Sequence, residues 1–220
     1  MNSSKIDRAR YGPGWAEVLL GAVLSALLGV LLCAAWLVWK PVPKVMVPPK
    51  TPDAYSVWYI RGSTDPDLGQ AWLRKRHALL DGQSISLSEE ELNTAAVTRM
   101  ERPRNEQGGD EGASLSPGEV NFRIVGDQLQ VAVPVKVALL GRSIIVQATG
   151  GFAREGRRFV FAPSQIYVGS CPVGRLPLVA SMVLRRLYSS QSVPDDLVAA
   201  WDKLSGVSIS GGRLILDAGP

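Results

Sequence analysis

The twenty-two residues from Val18 to Trp39 carry neither a charge nor a proline. At ~1.5 Å per residue a helix of that length spans about 33 Å, enough for a ~30 Å hydrocarbon core. A cleaved signal peptide has only ~7–15 apolar residues followed by a small-residue cleavage site. Here the run ends instead in Trp36, Trp39 and Lys40, residue types that anchor at a membrane–water interface. The pattern predicts a transmembrane helix over 18–39, with a short N-terminal segment at 1–17. Five prolines between residues 41 and 52 then predict a semi-rigid polyproline-type spacer over 40–52 that holds the following domain off the bilayer.

Beyond residue 53 the apolar period alternates between helix and strand. Asp65-Pro66 opens a helix over 65–80, and Asp81-Gly82 stops it. A short strand at 84–87 leads into Ser88-Glu89-Glu90-Glu91, where Ser88 and Glu91 have the spacing of a capping box and Leu87 that of a hydrophobic staple. Helix 89–100 follows, with Leu92, Ala95, Ala96 and Met100 on its inner face. Residues 101–118 contain almost no large apolar side chain and are expected to form a mobile loop.

From Glu119 the period becomes two. Strands at 119–125, 128–139, 143–153 and 158–169, joined by Gly-containing turns, predict an antiparallel meander. Pro134 implies a bulge or a free edge, and Gly150-Gly151 a bend that curves the sheet. A helix over 177–189, a helix from Pro194 with Val198, Trp201 and Leu204 inward, and a last strand or hairpin around Gly211-Gly212 complete the pattern. The fold class is α+β: one N-terminal membrane helix, then a domain over 53–220 in which a curved antiparallel meander packs on helices.

Charge narrows the function. Residues 1–50 hold six basic groups (Lys5, Arg8, Arg10, Lys40, Lys44, Lys50) and two acids (Asp7, Glu17), which accounts for the whole formal charge of +4. The domain is neutral, so the basic pI does not argue for nucleic acid. Basic residues flank the span on both sides. The short N-terminus ahead of a long domain sets the expected orientation, with 1–17 cytoplasmic and the domain extracytoplasmic.

The chain has one histidine, His77, in an Arg74-Lys75-Arg76-His77 patch that reads as a solvated helix face. Its two cysteines, Cys33 and Cys171, lie far apart in sequence and are not expected to meet. No phosphate-binding loop, dinucleotide fingerprint, paired CxxC or nucleophile elbow occurs. Gly169-Ser170-Cys171 offers two nucleophiles but no neighbouring base. The expected protein is no enzyme and holds no metal or cofactor.

Two features do point to partners. Gly21, Ser25, Gly29 and Cys33 recur every four residues, a small-residue face that lets a second transmembrane helix, a copy or a partner, approach closely. Val131, Val133, Val135 and Val137 line one face of a strand, and Leu178, Met182 and Val183 one face of the 177–189 helix. Between them lies either a groove for the acyl chain of a membrane lipid or a filled core.

The Leu87-to-Asn93 helix start resembles the YpmS-type family of membrane-anchored bacterial proteins, and more loosely YceB-type lipoproteins. So do the meander ending at Ile166-Tyr167-Val168-Gly169, Leu176-Pro177-Leu178 with its apolar helix, and Val193-Pro194-Asp195. The resemblance spans about 84–217. It implies an extracytoplasmic domain similar to tubular lipid-binding proteins. The proline spacer, the helix at 65–80 and the loop at 101–118 depart from that pattern. The leading functional expectation is a lipid-binding-like module without catalysis; the alternative is an accessory structural subunit docked on a larger membrane complex.

Overall fold

The computed structural model describes residues 14–47, 50, 56–100, 115–138, 141–174 and 194–219. Helix α1 runs Trp15–Trp39, one turn longer at its start than the uncharged run, because Glu17 is tolerated in a first turn where the helix dipole favours an acid. It is long and apolar enough to cross a membrane, and none of its residues is buried.

After a single 3-10 turn at Pro66–Leu68, α2 (Gly69–Leu80) begins. The Asp65 carboxylate caps the turn by accepting from Asp67 N–H at 3.0 Å. Strand β1 (Ile85–Ser88) feeds α3 (Glu89–Met100). Both arms of the expected capping box are present: Ser88 N–H donates to Glu91 Oε2 at 2.9 Å, and Glu91 N–H to Ser88 Oγ at 3.3 Å. The later elements are β2 (Leu115–Pro117), β3 (Asn121–Val125), β4 (Gln128–Val137), β5 (Arg142–Glu155), β6 (Arg158–Val168), β7 (Cys171–Pro172), α4 (Asp195–Trp201), β8 (Leu204–Ser210) and β9 (Arg213–Ala218).

These strands form two antiparallel sheets, a small one ordered β1-β9-β8 and a large one ordered β2-β4-β5-β6-β7 with β3 also on β4. The β3-to-β6 meander has the predicted order. Period two on the small sheet puts Ile85, Leu87, Leu214 and Leu216 on one face. That face closes over Leu129 of β4, with Leu79 of α2, Leu92 of α3 and Ala200 of α4 in the same core. Phe152 and Phe161 of the large sheet stack edge-on at 5.8 Å, and Phe152 lies 5.8 Å from Trp201. Trp201 Nε1–H donates to the Phe159 carbonyl at 2.7 Å, so the buried indole keeps a partner.

Both expected irregularities occur. Pro117 pairs with Val135 and Asn121 with Ala132, so one more residue is used on the edge side than on β4. Pro134 faces this break between β2 and β3, where its missing N–H leaves no ladder bond unmade, and its carbonyl accepts from Gly118 N–H at 2.7 Å. The register of β5 and β6 shifts between Thr149 and Gly150, leaving Ser164 as the extra residue. A Cβ on Gly150 would run into the backbone of Ala162 and lie 2.6 Å from Pro163 Cα.

Three expectations are corrected. Residues 115–117, assigned to the mobile loop, form an edge strand because β4 extends past β3 and leaves a ladder edge free; residues 101–114 lie outside the described part. Val198 faces outward and is 38% exposed, since Leu197, Ala200, Trp201 and Leu204 form the i, i+3, i+4, i+7 stripe. On α3, Asn93 and Thr94 are buried beside Leu92, whereas Ala95 and Ala96, expected on the inner face, are half-buried; the Met100 side chain lies outside the described part.

Asn93 is 2% exposed and fully bonded. Its Nδ2 donates to the carbonyls of Ser63 (2.8 Å) and Phe122 (2.9 Å), and its Oδ1 accepts from Phe122 N–H (2.7 Å) and Asn121 Nδ2 (3.1 Å). Asn121 Oδ1 in turn accepts from Gly62 N–H at 2.7 Å. Glu89 bonds the backbone N–H groups of Ser63 and Ile124. Every partner is committed, so this acid-rich helix start is a latch between α3, β3 and the 62–65 loop.

Candidate functional site: the junction of the apolar helix and the sheet

The last turns of α1 do not end in a free spacer. Ala34, Leu37 and Val38, spaced i, i+3 and i+4, pack on the cluster formed by Ala148 of β5, Ile166 of β6, Cys171 of β7 and Val173. Ser170 N–H donates to the Leu37 carbonyl at 3.1 Å, using an acceptor that the helix end leaves orphaned. Gly169 makes this approach possible. Its φ is +60°, and a Cβ there would sit 2.7 Å from the Val38 carbonyl oxygen.

The proline segment then crosses to the other face of the large sheet. Val42 packs with Tyr59, Ala132 and Ile145. Lys44 and Tyr59 form a parallel bridge in which Val45 N–H donates to the Tyr59 carbonyl (3.0 Å) and Tyr59 N–H to the Pro43 carbonyl (2.9 Å). The expected stand-off therefore does not exist over 41–45: β-pairing and burial draw these residues onto the domain. Burial pushes the Tyr59 hydroxyl pKa up, against the opposing pull of Arg61.

A cleft of about 200 Å³ opens where α1 meets the start of β5, lined among others by Trp39, Lys40, Val42, Lys44, Arg142 and Ile144. The Arg142 guanidinium lies 5.8 Å from the centre of the Trp39 ring. Among the described residues no carboxylate lines the cleft, and Lys40, Lys44 and Arg142 form no ion pair.

β7 folds back onto α1 and carries Cys171 into this junction. Cys171 is buried there with its thiol pKa pushed up by burial and, secondarily, by nearby Cys33; both thiols are free. A thiol held protonated is a poor nucleophile, and Ser170 is buried with its N–H spent on the helix. His77 is exposed on α2, away from both.

Of the expected groove, Val131, Val133, Val135 and Val137 do share one face of β4, opposite Ala148, Val146, Ile144 and Arg142. Val131 adjoins the main core and Val133 is 4% exposed. Leu178, Met182 and Val183 lie outside the described residues. Gly21, Ser25 and Gly29 lie on the exposed length of α1, and a Cβ on either glycine would meet nothing within 4 Å. The junction residues gave little signal in sequence. Only Gly169 at a strand end hinted at a close approach, and nothing marked Arg142.

Comparison with family models, with curated proteins and with solved structures returns no match to this chain. The YpmS-type resemblance accordingly rests on its short motifs alone.

Proposed function

We propose that this chain is a single-pass membrane protein with an extracytoplasmic α+β domain, acting without catalysis as an accessory structural module of a larger membrane assembly. The observation that carries this reading is the docked helix end: Ala34, Leu37 and Val38 packed on the sheet, with Ser170 bonded to Leu37. A simple tether needs no such contact. A module that presents one surface at a fixed height and angle does. Acyl-chain binding between β4 and the 177–189 segment is the weaker proposal, since the described half of that groove includes core residues.

Thiol labelling tests docking and sidedness together. In intact cells carrying the full chain with Cys33→Ala, Cys171 is expected to resist maleimides. Gly169→Val should open the junction and speed labelling at least about tenfold, because the thiol gains access to solvent. An impermeant maleimide should then work as well as a permeant one. Equal labelling of both chains would remove the docking argument, and labelling by the permeant reagent only would put the domain in the cytoplasm.

The small-residue face supplies the expected contact for a partner helix or a second copy. Gly29→Ile should weaken helix association in a membrane two-hybrid assay by about tenfold, since the new side chain holds the backbones apart. Unchanged association would remove this face from the proposal.

A further inference from the structure

We infer that the junction cleft is a binding site for the headgroup of an anionic phospholipid from the bilayer that α1 crosses. Depth comes first. The 25 residues of α1 rise about 37 Å, more than a ~30 Å hydrocarbon core needs. That length lets both ends reach headgroup level, where tryptophan seats: Trp15, 86% exposed, at the start and, at the other end, Trp36 and Trp39, 70% and 51% exposed. The cleft is lined by Val38, Trp39 and Lys40 of that same end, so it opens where phosphates lie.

Charge and shape agree with that depth. Lys40 and Lys44 come from the helix end and the segment after it, and Arg142 from the start of β5; folding alone brings them together. Three cations around one concavity, with no acid among the described residues paired to them, repel one another, an arrangement that an anion relieves. Arg142 Cζ lies over the Trp39 ring at 5.8 Å, and a guanidinium has the forked N–H donors to take two phosphate oxygens at once. The lysines supply point charges to the remaining oxygens. A space of about 200 Å³ far exceeds the ~10–15 Å³ that admits one water. Apolar Val42 and Ile144 beside the cations suit the glycerol end of a lipid better than a free, fully hydrated ion. The same lysines balance the N-terminal basic residues across the span; in this reading they serve the cleft. The inference rests on α1 crossing the bilayer and is independent of the accessory role.

The test uses the full chain in mild detergent, offered equal dioleoyl phosphatidylglycerol and dioleoyl phosphatidylcholine, with retained lipid counted by native mass spectrometry. Wild type is expected to keep the anionic lipid preferentially. The preference should fall about fivefold for each cation removed in Arg142→Gln and Arg142→Gln/Lys44→Gln, both surface changes that leave the unfolding midpoint unmoved. Arg154→Gln/Arg157→Gln, a control for net charge alone, should retain it. Millimolar inorganic phosphate should not displace the lipid. Equal retention of the two lipids by wild type, an equal loss in the control, a preference that survives in the double variant, or displacement by inorganic phosphate would each overturn the site. Carbonate extraction separates the failures. A chain released from membranes defeats the membrane reading itself, whereas a chain that stays without lipid preference defeats only this site.

Discussion

Asn93→Leu is expected to lower the unfolding free energy of the full chain by about 4 kcal/mol, although leucine has the same number and branching of side-chain heavy atoms as asparagine and favours helices. The side chain makes four hydrogen bonds, and its partners are backbone groups of Ser63 and Phe122 and the amide of Asn121. Leucine leaves all four without a partner, each costing about 1–3 kcal/mol where water cannot reach it. Partial rehydration at the 62–65 loop offsets some of that. A close-packed neighbour makes the site stricter still: a Cβ on Gly62 would run into the Phe122 carbonyl and approach Asn93 Nδ2 to 2.7 Å, so the loop has little room to shift. Since domains are stable by only about 5–15 kcal/mol, the variant should be marginal at best. Urea unfolding in mild detergent, followed by tryptophan fluorescence, measures it. A loss under about 1 kcal/mol would mean that the latch contributes little.

Gly150→Ala should cost about 2–4 kcal/mol, while Gly151→Ala, its neighbour, should be neutral or slightly stabilising. The contrast comes from the bulge. At Gly150 the added methyl meets the backbone of Ala162, Pro163 and Ser164, and backbone cannot rotate out of the way; at Gly151 nothing lies within 4 Å. Moving the β6 bulge would break the register that sets Phe161 against Phe152 and the Ser164 Oγ bond to the Thr149 carbonyl (3.0 Å). The same urea titration applies to both variants. Equal costs at the two positions would show that the loss is one of strand glycine in general and has nothing to do with the close approach.

What the sequence alone determined were the features written in short-range patterns. The uncharged run of α1, the Ser88/Glu91 capping box and the period-two strands from Asn121 to Val168 each follow from residues within one or two turns of each other, where dihedral preference and local burial decide. Pro134 and Gly150 marked their irregularities because each carries a backbone constraint wherever it stands. Tertiary structure alone decided the rest. The Glu89-Glu90-Glu91 run reads as a dipole-stabilised helix start, and only the arrival of β3 and the 62–65 loop makes Glu89 and Asn93 into a buried latch. Residues 41–45 read as spacer because proline disfavours strand interiors, yet pairing with Tyr59 holds them on the sheet. The junction cleft is the extreme case. Lys40 and Arg142 stand 102 positions apart in sequence, and no local rule carries information over that separation. They become neighbours because Ala34, Leu37 and Val38 have a lower free energy packed on the sheet than exposed to water, which sets the end of α1 beside the first residue of β5.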